Sequence, residues 1–357
     1  MTDTCPDRDL ALARALPKVL LHEHLDGGLR VATLLDLLVQ RGLTPPRPDA
    51  PALASWFDAN AHAGSLEKYL EGFALTVAAM ASPAAMERVA FEAAEDARID
   101  GAVLAEFRIA PLLFEAHGVS GEATVEALLA GLARSPLPLG TASGLIVCGM
   151  RHLPAEETLR AARLALKYQG QGVVGFDLAG AELGHPAAEH AAALALVREA
   201  GLAITLHAGE ADAAVRVLQA GRLGARRIGH GVRLVDAVHD PAGADLLAEA
   251  RALGLHLEVC PTSNVHTGAA RSIASHPITE LWQAGVSLSY HTDNRLMSCV
   301  SMTDEAAALL AYTPLTASDL LQMALQAAEH SFLPPPARAA AVQRVHDWAL
   351  GRGLALQ

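Results

Sequence analysis

Val19-Leu20-Leu21-His22-Glu23-His24-Leu25-Asp26-Gly27-Gly28 opens the ordered pattern of this chain, and the way it ends separates two α/β architectures. Its apolar half reads as a parallel strand buried on both faces, and its glycine pair as the exit loop. A doubly wound nucleotide-binding sheet would carry a glycine-rich phosphate loop directly after this strand. His-Glu-His-Leu-Asp-Gly-Gly is not one. Residues two apart on a strand share a face, so His22 and His24 aim two imidazoles at one point. Two nitrogen donors converging at the carboxyl end of a buried strand are half of a zinc site.

Outward from this stretch, short apolar runs alternate with amphipathic helical segments. They cover residues 102–109, 144–148, 173–178, 203–207, 227–230, 255–260 and 286–290. With the first strand they reach the number of a TIM-type (β/α)8 barrel, each separated by room for a crossover helix. Extra helices are expected from residue 30 to about 100, interrupted by the proline-rich stretch from Thr44 to Pro51. From Thr316 onward the pattern is a helical tail. Thr316 and Asp319 suggest a capping box, and Pro334-Pro335-Pro336 separates two helices. No linker divides the chain, so residues 1–357 are expected to form one domain.

Composition narrows the function. Hydrophobic residues make up 52% of the 357 and charged residues 18%, enough for a large core. A formal net charge of -12 argues against a nucleic-acid backbone or an anionic membrane surface as partner. Residues 1–10 lack the basic-then-apolar layout of a signal peptide, and no stretch approaches the ~18 apolar residues of a membrane span. Cys5, Cys148, Cys260 and Cys299 form no Cys-x-x-Cys pair, and Cys148 and Cys260 read as reduced core thiols. A cytoplasmic protein is expected.

In a barrel, residues at the carboxyl ends of the strands gather at one mouth. The fifth run ends Leu206-His207-Ala208-Gly209-Glu210, the sixth Ile228-Gly229-His230-Gly231, and the eighth Ser289-Tyr290-His291-Thr292-Asp293-Asn294. His22, His24, His207 and Asp293 supply three neutral nitrogens and one carboxylate, a set suited to one zinc ion per chain. Water on such a metal has a pKa near 7, so a hydroxide nucleophile exists at neutral pH. Glu210 lies close to the metal but aims elsewhere. Enclosure would desolvate it and fit it to carry a proton. His230 is placed to take the water's proton or to orient the hydroxide. Glu23, between the two histidines, should face away from the metal. Together these groups suit hydrolytic attack at an electron-poor carbon.

The ordered motifs resemble the adenosine deaminase family. They are the segment from Pro17 through His22-Glu23-His24-Leu25-Asp26-Gly27, then Gly175-Phe176-Asp177-Leu178-Ala179-Gly180-Ala181-Glu182 and His207-Ala208-Gly209-Glu210. Arg227-Ile228-Gly229-His230-Gly231, Glu258-Val259-Cys260-Pro261-Thr262-Ser263-Asn264 and Thr292-Asp293-Asn294 follow. The first and last are most similar to the actinobacterial-type branch. The resemblance implies a zinc-dependent hydrolysis of the 6-amine of adenosine or 2'-deoxyadenosine, giving the 6-oxo nucleoside and ammonia. By the same resemblance Glu210 protonates the purine nitrogen beside the attacked carbon and His230 serves the water. Gly180 offers its N–H to the purine, where a side chain would obstruct it, and Asp26 meets the sugar hydroxyl. Asn294 stands where many members have a second Asp touching another purine nitrogen. His291, where relatives often carry Asn, reads as a packed or supporting residue rather than an extra ligand.

Alternatives keep the chemistry and change the substrate to adenine, an N6-substituted purine or an aminofutalosine-type nucleoside. Two further readings are a catalytically inactive purine binder and a hydrolase of esters or lactones. The acidic chain shows no cationic phosphate clamp, which favours a nucleoside over a nucleotide. The segment 106–117, with Phe107, Leu112, Leu113 and Phe114, is expected to form the pocket lid.

Overall fold

Parallel strands covered on both faces read as unbroken apolar runs, and every run becomes a strand in the computed structural model of the protein. The structure describes residues 7–62, 66–134, 142–354 and 356, so Cys5 lies outside them. The strands are β1 (Lys18–Leu20), β2 (Ala102–Ile109), β3 (Ser143–Met150), β4 (Val173–Ala179), β5 (Ala203–Ala208), β6 (Arg227–His230), β7 (His256–Val259) and β8 (Leu288–Tyr290). They lie side by side in chain order, each parallel to the next. Parallel neighbours require crossovers, and the helices between strands provide them. The result is a TIM-type barrel.

β1 is shorter than its sequence pattern suggests. It stops at Leu20, so His22 and His24 follow on an extended segment beyond the strand. The alternation survives because that segment is pinned on both sides. Glu23 bridges to Asp293 and His24 to Arg108, and Arg108 N–H donates to the Glu23 carbonyl at 2.8 Å.

No regular ladder joins β8 to β1. Instead Asp293 N–H donates to the His22 carbonyl (3.0 Å) and His24 N–H to the Asp293 carbonyl (2.8 Å). Leu21 N–H donates to Nδ1 of the His291 imidazole at 3.2 Å, a ring nitrogen standing where a strand carbonyl would.

Helices Val31–Gln40, Ala50–Ala61, Leu66–Met80 and Pro83–Ile99 fill the connection between β1 and β2. The second and fourth begin where sequence signals place a start, with Asp49 and Ser82 accepting N–H groups of the first turn and proline just inside. In the tail, Thr316 and Asp319 form the expected capping box ahead of Ala317–His330, and Pro335–Leu350 follows. Between those helices the chain turns into the base of the barrel. There Ser331 Oγ and Phe332 N–H both donate to Glu106 Oε1 at 2.6 Å.

One contiguous apolar core runs from Ala13 to Ala349. Cys148 and Cys260 are free, buried thiols, and burial pushes both well above the usual thiol range. Among the described residues no helix is long and apolar enough to cross a membrane.

Candidate active site and metal centre

The strand ends bring His22, His24, His207 and Asp293 together. His22 Nε2 lies 3.3 Å and His24 Nε2 3.5 Å from Asp293 Oδ1, and His24 Nε2 lies 3.3 Å from His207 Nε2. Donors placed tetrahedrally about 2.1 Å from a zinc ion stand roughly 3.4 Å apart, so the spacing fits a single ion. His230 closes the far side, since donor atoms of His22, His207, His230 and Asp293 all fall within 4.8 Å of one another.

Which nitrogens face the centre is fixed from behind. His22 Nδ1 is 3.0 Å from Glu258 Oε2, and His207 Nδ1 is 3.1 Å from Asp177 Oδ1. A carboxylate only accepts, so both Nδ1 atoms carry the hydrogen and both Nε2 lone pairs point inward. His22 Nε2 is buried and makes no hydrogen bond, as a ligand position requires. Burial holds the His24 and His207 imidazoles below their usual range, in the neutral form that a metal needs.

Charge gives an independent test. Arg108 donates to Asp177 and Glu258 (2.8 and 2.6 Å), and Arg227 donates to Glu258 and Glu106 (2.6 and 2.7 Å). All five side chains are fully buried. Burial opposes charge on Glu258, but Arg108 and Arg227 outweigh it and hold the carboxyl well below the usual range. His22 joins this network to Asp293. Two guanidiniums then face four carboxylates (Glu106, Asp177, Glu258 and Asp293), an excess of two negative charges in a buried interior. A divalent cation offsets that excess. The residues fit a metal.

Asp293 and His230 both adopt left-handed backbone conformations, with φ of 59° and 66°. Side chains larger than glycine rarely do so, and such strain collects at functional sites. It turns both side chains into one cavity of about 520 Å³, which Asp26, Gly180, Glu210 and Asn294 also line. Burial pushes the Asp26 carboxyl up to about 7.

Glu210 sits on the loop after β5 with its side chain 24% exposed, less enclosed than the sequence reading expects. Thr267 Oγ1 donates to its Oε1 at 2.8 Å and Asn264 Nδ2 at 3.3 Å. The same amide lies 3.0 Å from His230 Nδ1, and His230 Nε2 is 3.6 Å from Glu210 Oε2. One asparagine thus stands between Glu210 and His230.

One expectation changes and others hold. The segment 106–117 is not a lid: Phe107 and Phe114 are fully buried in the core, and of that segment the cavity touches only Ala110 and Leu113. Phe73 and Val77, from the helix Leu66–Met80, form the apolar wall instead. At Gly180 the bar to a side chain lies in the protein itself. Its φ is 93°, and a Cβ there would meet His152 Nδ1 at 2.8 Å. His291 points away from the ligand set, its Nε2 2.7 Å from Ser289 Oγ. Glu23, itself buried, likewise faces away from that cluster and accepts from Arg295 Nε (2.8 Å) and Thr292 Oγ1 (3.1 Å).

Ser263, Asn264 and Thr267 carry no assigned role in the sequence reading, although two of them lie in a recognised motif. The available signal for Arg108 and Arg227 is their position inside apolar strand runs, where an unpaired charge is too costly.

Comparisons with known proteins show what the chain is similar to. A family model described as adenosine deaminase matches residues 17–348. The adenosine deaminase of Mycobacterium bovis is 42% identical over 349 residues, covering 94% of this chain and 95% of its own. Among solved structures, an amidohydrolase from Burkholderia ambifaria with bound Zn has a TM-score of 0.84 at 22% identity, covering 99% of this chain and 97% of its own. An arabidopsis protein complexed with IMP has a TM-score of 0.81 at 24% identity, covering 95% and 98%.

Proposed function

The chain belongs to the adenosine deaminase family, and from that premise we propose that it hydrolyses the 6-amine of adenosine and 2'-deoxyadenosine. The products are inosine or 2'-deoxyinosine and ammonia. The observation that carries the reading is the meeting of three imidazoles and one carboxylate beneath a cavity that also holds Glu210 and His230.

His22, His24, His207 and Asp293 would hold the metal, and three nitrogens with one carboxylate favour zinc. When bound there, a divalent ion would lower the pKa of water to about 7 and so supply a nucleophile at neutral pH. Glu210 delivers a proton to the ring nitrogen beside the attacked carbon, which makes that carbon electrophilic. His230 holds the opposite side of the nucleophile and exchanges its proton. Gly180 and Asn294 orient the purine, and Asp26 meets the sugar.

The cavity favours a nucleoside over a nucleotide. Among the described residues, Arg233 is the single Lys or Arg side chain in its lining, so no cluster of guanidinium or ammonium groups stands ready for a phosphate dianion. The contiguous core supports one domain over residues 1–357, and the free thiols of Cys148 and Cys260 support a cytoplasmic setting.

The test is ammonia release from adenosine, deoxyadenosine, adenine and AMP, with metal content measured on the same preparation. The nucleosides should react fastest, at one zinc per chain. Faster turnover of AMP or adenine would overturn the substrate assignment. Undiminished deamination after metal removal would overturn the mechanism.

A further inference from the structure

Glu182, on the loop after β4, has both carboxylate oxygens engaged with the backbone of another loop. Oε1 accepts from Gly209 N–H at 2.6 Å. Oε2 accepts from Glu210 N–H (3.1 Å), Ala211 N–H (2.9 Å) and Asp212 N–H (3.1 Å). Four consecutive amides therefore converge on one side chain, itself 9% exposed. Charge-assisted hydrogen bonds of this kind are the stronger class, and four from one group fix a short loop in place.

The loop so held is the one that carries Glu210. Its carbonyl side is held separately, because Arg233 N–H donates to the Gly209 carbonyl at 2.8 Å and Gly231 N–H to the Ala208 carbonyl at 3.1 Å. Gly209 is left-handed (φ 68°), so the chain swings sharply just before Glu210. With its carbonyls pinned to the β6 loop and its amides to Glu182, the turn presents the Glu210 carboxyl in one direction. That direction is toward Thr267 and Asn264.

The same β4 loop carries Gly180, two residues before Glu182, on the wall of the cavity. A single short segment thus contributes both to the purine pocket and to the clamp on the proton carrier. We propose that Glu182 is a positioning residue for the deamination: it sets the direction of the Glu210 carboxyl relative to a purine seated against Gly180. The inference rests on Glu210 being the proton carrier.

The experiment compares Glu182→Ala, Glu182→Gln and Glu210→Gln in the metal-loaded full chain. Metal content, thermal midpoint, kcat and KM for adenosine are measured for each. Binding is measured for inosine and for a nucleoside analogue with a tetrahedral C6 hydroxyl and a protonated N1. Only the analogue reports alignment with Glu210, since a misplaced acid weakens transition-state binding without weakening product binding.

For Glu182→Ala, kcat is expected to fall about 100-fold, the effect of a shift near 1 Å at the reacting group, with KM and inosine affinity within about threefold. Analogue affinity should fall in step with kcat/KM. Glu182→Gln preserves shape and part of the acceptor set and should show an intermediate loss. It decides the question if Glu182→Ala loses metal or unfolds. Unchanged kcat in the substituted proteins would overturn the inference, as would equal weakening of inosine and analogue. If Glu210→Gln itself turns over normally, the role of Glu210 fails first, which distinguishes the two failures.

Discussion

Ser263 Oγ donates to Oδ2 of Asp293 at 2.6 Å, while Oδ1 of the same carboxylate faces His22 and His24. The serine occupies one oxygen and so leaves the other free to face the proposed metal position. It also holds the carboxylate plane of a residue whose backbone is already left-handed. Partners that orient a ligand in this way matter to metal affinity nearly as much as the ligand.

Ser263→Ala should therefore keep the fold and weaken metal binding about 10- to 100-fold. Competition against a chromogenic chelator reads the affinity directly. Metal retention equal to that of the unsubstituted protein would show that Asp293 needs no such partner.

Gly229 lies between two site strands, and a Cβ there would stand 3.0 Å from His22 Cε1 and 3.2 Å from the His207 Cα. The His22 ring cannot retreat freely, since Glu258 holds its other side. Gly229→Ala is expected to displace the ring and weaken metal binding about tenfold with secondary structure intact. Metal stoichiometry after dialysis, alongside circular dichroism, checks both parts of that expectation.

Arg227 bonds Glu106 and Glu258, and its guanidinium lies 3.6 Å from the centroid of the Phe332 ring. Arg227→Met leaves two buried carboxylates short of a cation, which costs about 3–5 kcal/mol. The urea midpoint should fall accordingly. High salt should barely affect the unsubstituted protein through this network, because the pairs are wholly buried.

Glu305 is fully buried and accepts Thr262 N–H at 3.0 Å through Oε1, at the start of the helix that carries Ser263 and Asn264. Burial pushes its carboxyl up from 4.5 to about 8. Between those values the folded protein keeps a proton that the unfolded chain has released. Stability therefore falls as pH rises through the window, by up to about 1.4 kcal/mol per pH unit. Glu305→Gln should flatten that slope in denaturation curves taken from pH 5 to 8. An unchanged slope would assign it to other groups.

The strands were readable because a parallel strand covered on both faces leaves a mark in consecutive residues, as in Ala102–Ile109. The place where β1 stops was not. It depends on Asp293 and Arg108 gripping the next residues, and nothing near Leu20 encodes those partners. The meeting of His22, His24, His207 and Asp293 was legible because imidazoles at strand ends are chemically conspicuous. Its support was not, since Glu258 meets Arg108 150 residues away and His22 236 residues away in sequence. The pocket wall escaped for a related reason. Phe114 and Phe73 look alike in sequence, and only the placement of their helices sends one into the core and the other to the cavity.

The seam between the first and last strands bears on how the enzyme is made. His22 leaves the ribosome early and Asp293 only after all eight strands, so no nascent chain can bring the four proposed donors together until the cylinder is ready to shut. A product halted before β8 would keep three imidazoles but lack both the carboxylate and the backbone clasp that Asp293 provides. Tight retention of an ion by the proposed site would thereby mark a finished molecule.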